Sequence, residues 1–392
     1  MSTAQIANKA LASAALGGLL ACSLVPSPAT AQPTLADDFY APGDFQGRVR
    51  SVVVDRHGVP WIATTQSLFK VSHGMANNVE NVGGPDSRLT LMPGGDLYAS
   101  LAALKSGRFG VQLRNLNNPG QVIANLGAPT VARGFTTLHA GFRGAVIVTA
   151  TPLQYAEGLR GVFQYAFWSS HGILLGSAKL DGPQTGVVDE AGEAILLLGQ
   201  SEAIAFDNRG NELWRVSGSY RKGVLAGRGS LAILNPSAAI NEIHVVRSGA
   251  VTVVTLPGPV HELAATPDGS LAAIATDRGG VSFITTGSCS AASCPVQSMP
   301  ALPFGGTYYI SAIKFIDRAT IALGIIEASG SPPNESFDRG YVVVAGTDGQ
   351  VQFRHAMRLA PLAGWSPLLD VTFGERVFSA YTHDAVFVVE VN

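Results

Sequence analysis

Short apolar runs alternate with tight clusters of Gly, Asp, Asn and Pro along most of the chain, and one unit returns roughly every 40–50 residues. The clearest copies are VRSVVVD-RHG-VPWIATT from Val49, TGVVDE-AG-EAILLLG from Thr185 and VHELAATP-DGS-LAAIATD from Val260. Each reads as a buried strand, a turn whose chemistry Asp and Gly supply, and a second buried strand. First strands of successive copies are expected to begin near Val49, Arg88, Phe135, Gly186, Gly223, His261, Ala312 and Leu369. Further out, runs such as SLFKVS (67–72) and NEIHVVR (241–247) alternate more, as strands with one wetter face do. No helical period is sustained beyond the N-terminal segment.

Repetition of strand–turn–strand units at this spacing predicts an all-β β-propeller with four-stranded antiparallel blades. Eight copies fall out, or seven if one irregular copy has been split in two. The last copy carries only three strands, and the segment 35–45 is the natural donor of the fourth. Closing the ring with strands from both ends of the chain removes an exposed sheet edge. A single domain over 32–392 follows.

Three copies resemble known propeller repeats. Segment 52–71 resembles the D-x-x-G-x-x-W-(I/V)-x-T-x-x-x-(L/I)-(F/Y) blade of bacterial propellers, through Asp55, Gly58, Trp61, Ile62, Thr64, Leu68 and Phe69. Segment 204–216, with Trp214, is similar to the blade end of PQQ-type repeats, and 263–283 to WD40-like or YVTN-type blades. The resemblance implies the fold and carries no activity, because these motifs encode packing. PQQ dehydrogenases repeat the Trp motif through most blades and carry adjacent cysteines, whereas this chain has one convincing copy and no adjacent cysteines. The His/Glu pair with magnesium used by lyase-type propellers finds no alignable counterpart.

The first 31 residues read as a leader for bacterial export. Lys9 supplies the positive region, 10–25 the apolar stretch, and Ala29-Thr30-Ala31 a small-x-small cleavage site ahead of Gln32. A competing reading takes Leu19-Leu20-Ala21-Cys22 as a lipobox, with Cys22 lipidated as the first mature residue. The apolar run falls short of the ~20 residues that a transmembrane anchor needs. Either way the expected location is the periplasm or beyond. Cys289 and Cys294 then form an even pair, which an oxidising compartment would close into a small disulfide loop.

Composition narrows the chemistry. Only 14% of residues are charged, against about 25% in an average soluble domain, and the formal net charge is −2. No general field for nucleic acid results, and no nucleic-acid-reading motif is present. Nucleophile-elbow, zincin, P-loop and EF-hand signatures are absent, and the eight His residues lack ligand spacing. The sequence therefore implies no metal, no cofactor and no catalytic residue.

One constellation remains. Arg50, Arg88, Lys222, His261 and, further along its strand, Lys314 fall near the expected starts of first strands, with Glu262 and Asp370 as counterweights. First strands all begin at one mouth of a propeller channel, so a focused positive site for an anionic ligand or acidic segment is expected there. Tyr155, Tyr165, Trp168, Tyr220, Tyr308 and Tyr309 are candidates for blade packing ahead of recognition. Segment 327–340, polar and rich in Pro and Gly, reads as a projecting loop. Together these features point to a monomeric binding or scaffold module for a protein, glycan, envelope component or anionic ligand. The alternative is a lyase, hydrolase or quinoprotein-like enzyme at the channel mouth.

Overall fold

The computed structural model describes residues 32–391, apart from 42, 56, 82–87, 92–96, 104–108, 131–137, 141–145, 154–157, 159–160, 182–184, 305, 330–335 and 359–366. Eight four-stranded antiparallel sheets form the blades of a propeller ring. Blades 1 to 7 use consecutive strands within 49–81, 88–130, 138–181, 185–217, 220–255, 260–298 and 307–358. Blade 8 takes three strands from 368–390 and its outermost strand, Thr34–Tyr40, from the other end of the chain. That strand runs antiparallel to Ala385–Glu390, with Thr34 opposite Glu390 and Tyr40 opposite Ala385.

The core is not central. Eight hydrophobic clusters are each built from two neighbouring blades, so every seam has its own core. The period-two alternation of strands explains how one blade serves two seams. Ala272 and Ile274 face blade 5, while Ala273 and Ala275 on the same strand face blade 7. Trp214 closes the seam between blades 4 and 5 and donates its indole N–H to the Gly229 carbonyl at 2.6 Å. Tyr165, Tyr220 and Tyr308 are likewise buried in seams, whereas Tyr155 lies outside the described residues.

Turns between first and second strands follow the Asp/Gly chemistry of the repeat. In blade 1, Asp55 Oδ1 accepts the backbone N–H groups of His57 and Val59, at 2.8 and 3.0 Å, and its Oδ2 accepts the Trp61 indole at 3.0 Å. Asp189 does the same for Glu193 and Ala194 in blade 4, at 2.7 and 3.0 Å. Such Asx turns satisfy backbone donors that the reversal would leave unpaired.

Two expectations are revised. The described parts of segment 327–340 are a hairpin extension: Thr320–Ser329 and Ser336–Gly346 stay paired as far as Ser329 opposite Ser336, and 330–335 lie outside the described residues. Polar composition misled here because both strands project beyond the seam into solvent, where alternation with apolar residues is not required. The first strand of blade 7 is Thr307–Phe315, beginning five residues ahead of the expected Ala312. Cys289 and Cys294 are joined by a disulfide with Cα atoms 4.1 Å apart, at the outer edge of blade 6. Cys22 and the expected leader lie outside the described residues.

Candidate functional site

Four first strands carry a β-bulge, at the second residue in blades 1, 5 and 6 and mid-strand in blade 7. The skipped residue is Arg50 in blade 1, Arg221 in blade 5, His261 in blade 6 and Ser311 in blade 7. A bulge turns its extra side chain out of the ladder, and in three of these blades that side chain reaches the next blade. Arg221 bonds to the carbonyl of Val260 and to the side chain of Asn235. His261 packs edge-on against Tyr309, centroids 6.1 Å apart, and its Nε2 lies 3.4 Å from Asp277 Oδ1. Ser311 Oγ donates to the Pro367 carbonyl at 2.8 Å. Lys222, beside the bulge of blade 5, bonds to the His261 carbonyl and pairs with Glu262.

This start end of the channel is therefore where most of the sequence-predicted cations are found, but two of them are engaged. Lys222 and His261 stitch blade 5 to blade 6 and blade 6 to blade 7. Arg50 is exposed at its bulge. Arg88 opens the strand Arg88–Leu91, and its side chain lies outside the described residues. Lys314 does not join them. It is the penultimate residue of Thr307–Phe315, so it stands at the opposite end of the channel, and Ser311 occupies the position equivalent to His261.

At that finish end a cavity of about 200 Å³ opens where the first strands of blades 4 to 8 terminate. Val187, Val188, Val224, Ala264, Ala265 and Leu369 give it apolar walls, and Asp189, Glu190, Lys314, Asp370 and Thr372 its polar groups. The turn of blade 8 folds over this end. Glu190 of blade 4 accepts the Phe373 N–H of blade 8 at 2.5 Å, a bond between opposite sides of an eight-blade ring. Gly374 N–H donates to Ile316 of blade 7 at 2.7 Å. Outside the cavity the rim is laced by Arg228 with Glu193 at 2.8 Å and by Arg318 with Asp268.

Asp370 and Glu190 are the unusual members. Asp370 Oδ2 accepts the Val54 N–H of blade 1 at 3.2 Å. Burial pushes its carboxyl up to about 7, opposed by that hydrogen bond and by Lys314, and reinforced by the charge of Glu190. Burial raises Glu190 too, with the Phe373 bond and Lys314 pulling the other way. Among the described residues neither carboxyl has an ion-pair partner, and the second oxygen of each has no hydrogen-bond donor. Tyr381 lies on the same, blade-1-facing side of blade 8 as Asp370, and its phenol is raised by burial and by that carboxyl. Glu190 escaped the sequence reading because a Glu after the turn-forming Asp189 looks like a solvated turn residue. From the sequence alone Asp370 reads only as a counterweight to the cations.

Among the described residues, no group of three or more His, Cys, Asp or Glu is placed to hold a metal ion, and no helix is long and apolar enough to cross a membrane. No protein-family model matches the sequence, and no curated protein matches it. Sqt1 from Chaetomium thermophilum is similar in structure, at 12% identity and a TM-score of 0.61 over 93% of this chain and 100% of that one. Sqt1 bound to the N-terminus of the ribosomal protein L10 gives 12% identity and a TM-score of 0.60, over 91% and 99%. The β-propeller domain of Cps50 (Swd1) from Myceliophteria thermophila reaches 10% identity and a TM-score of 0.48, over 78% and 96%. The likeness to Sqt1 agrees with the eight closed blades and shows the β-propeller fold for this chain.

Proposed function

We propose that this protein is an exported, monomeric ring that serves as a binding scaffold and receives a segment of a protein partner at the finish end of its channel. The observation that carries the reading is the cavity there, lined from five blades and holding carboxyl oxygens without a hydrogen-bond donor among the described residues. Carboxyl oxygens that face a cavity without a protein donor are open to a donor from outside the protein. Sqt1, of the same architecture, is bound to the N-terminus of the ribosomal protein L10 in its crystal structure, which supports a propeller of this kind as a receiver of a protein segment. Engagement of Lys222 and His261 leaves, of the described predicted cations at the start end, Arg50 for an anionic ligand or acidic glycan, and makes that choice the weaker one.

Export through residues 1–31 to a bacterial periplasm belongs to the same proposal, and the Cys289–Cys294 disulfide supports an oxidising compartment. An intact mass beginning at Gln32 is the expected result. A lipidated Cys22 would replace free export by anchorage at the membrane surface. The scaffold itself is tested by photo-crosslinkers at Thr372, Arg50 and the exposed outer-strand residue Val253 in cells that make the protein. A discrete protein adduct at Thr372 is expected, and adducts at Val253 alone would sink the reading.

A second reading has one observation in its favour. A carboxyl poised near 7 beside a second carboxyl and a lysine matches the tuning of general acid–base groups. It requires a substrate whose reacting atoms reach Asp370. Unchanged turnover of any identified substrate after Asp370→Asn would remove it.

A further inference from the structure

The scaffold reading leaves the chemistry of the bound group open, and the charges in the cavity narrow it. Three carboxyl groups line it, from Asp189, Glu190 and Asp370, and the lining holds one cation, Lys314. Asp189 is committed to its own turn through the N–H groups of Glu193 and Ala194. Lys314 is exposed, Asp370 is partly buried, and among the described residues Lys314 makes no ion pair with either remaining carboxyl. The accessible surface that Asp370 keeps faces the cavity. With both carboxyls ionised the enclosed group is short of positive charge, and the unpaired oxygens of Asp370 and Glu190 are acceptors only.

We propose that the finish-end cavity is a site for a primary ammonium group, held by the free carboxyl oxygens of Asp370 and Glu190. The group comes either from the amino terminus of a peptide or from a small alkylamine; the inference rests on the scaffold reading for its location. An ammonium has three donors and no acceptor, which matches two acceptor oxygens better than any neutral hydroxyl or amide does. A volume of about 200 Å³ suits one such group with a short side chain and excludes a bulky ligand. The apolar walls Val187, Val224 and Ala264 would cover the first carbons behind the nitrogen.

Ammonium binding is linked to proton release. Every group facing Asp370 takes part: Lys314 from blade 7 and Glu190 from blade 4 by charge, Tyr381 within blade 8, and the Val54 N–H from blade 1. Blades 5 and 6 present only Val224, Leu225, Ala264 and Ala265 and no titratable side chain. An entering cation favours the ionised carboxyl, so protons leave as it binds and affinity climbs with pH through neutrality.

Titration calorimetry of the mature protein tests this with three probes: n-butylammonium, a tripeptide amide with a free amino group, and the same peptide N-acetylated. The free-amine probes are expected to bind, more tightly at pH 8 than at pH 6, with heats that differ between phosphate and Tris because protons are released. Acetylation should abolish binding. Asp370→Asn should weaken the free-amine probes about tenfold to a hundredfold, the range for a hydrogen bond to a charged group. Glu190→Gln serves if that variant does not fold, and Lys314→Gln should tighten both probes by removing repulsion. Tighter binding of the peptide points to an amino terminus, and tighter binding of butylammonium to a small amine. Equal binding of the acetylated peptide, or no binding of any probe, overturns the inference. If the Thr372 crosslink persists in that case, the scaffold stands and only the ammonium assignment falls.

Discussion

The two ends of the channel use charge in opposite ways. At the start end, bulges aim Arg221, His261 and Ser311 at the next blade, and Lys222 finds Glu262, so polar residues are absorbed in holding neighbours together. At the finish end the rim turns are laced in the same spirit, by Arg228 with Glu193 and Arg318 with Asp268. Inside that lacing, however, Asp370, Glu190 and Lys314 make no ion pair among the described residues around a cavity. A charge spent on stitching is recognised by its partner, and a charge left available by the partner it lacks. Position at a strand end distinguishes neither.

The sharpest way to break the stitched end is Gly279→Ala. Gly279 has φ of +74°, and an added Cβ would stand 1.9 Å from the Tyr308 ring in the seam between blades 6 and 7. Left-handed backbone plus overpacking costs about 3 kcal/mol, and calorimetry should find the unfolding midpoint several degrees lower. Arg221→Ala comes next. It strips the buried Asn235 and the Val260 carbonyl of a donor, costing about 2 kcal/mol in urea unfolding. Arg221→Lys should recover little, since a lysine cannot span both acceptors.

At the finish end the expected effect has the other sign. Asp370 binds its proton more tightly in the folded chain than the ordinary carboxyl value of 3.8 allows, up to about 7. Its contribution to stability is therefore complete below about pH 4 and lost as pH rises through about 7. Asp370→Asn should be the more stable protein at pH 8 by at least about 1 kcal/mol, with the advantage vanishing at pH 4. A wild-type profile already flat between pH 4 and 8 would contradict this. Smallest of all is Lys222→Gln, which removes a half-exposed pair worth less than about 1 kcal/mol. Added salt should shrink that difference further.

The ring was legible because each seam repeats the same demand. Two faces of alternating apolar residues recur from blade to blade, and an Asp-capped reversal returns in blades 1, 4 and 6 with Asp55, Asp189 and Asp268. The ends of the channel were harder to read. A first strand placed from Ala312 puts Lys314 near its start, while the true strand from Thr307 puts it near its finish, 3.3 Å per residue further down the channel. Bulges were invisible too, since nothing in the residue pattern around Arg50 or His261 distinguishes a skipped residue from a paired one. The cavity depends on five turns meeting, and on Glu190 reaching a blade 183 positions away. No local pattern encodes such a meeting.

Blade 8 has a kinetic consequence. Seven sheets assemble from strands that are neighbours in sequence, and such contacts form early. The eighth requires Thr34 to find Glu390, so nearly the whole chain must close into a loop before that ladder can form. Ring closure is then the slow, late event of folding. Backbone amides of Thr34–Tyr40 should gain protection from pulse-labelled hydrogen exchange after those of blades 5 and 6. Until that moment the chain is an open arc with a bare edge strand, and it is during this interval that it is most exposed to mispairing with another copy.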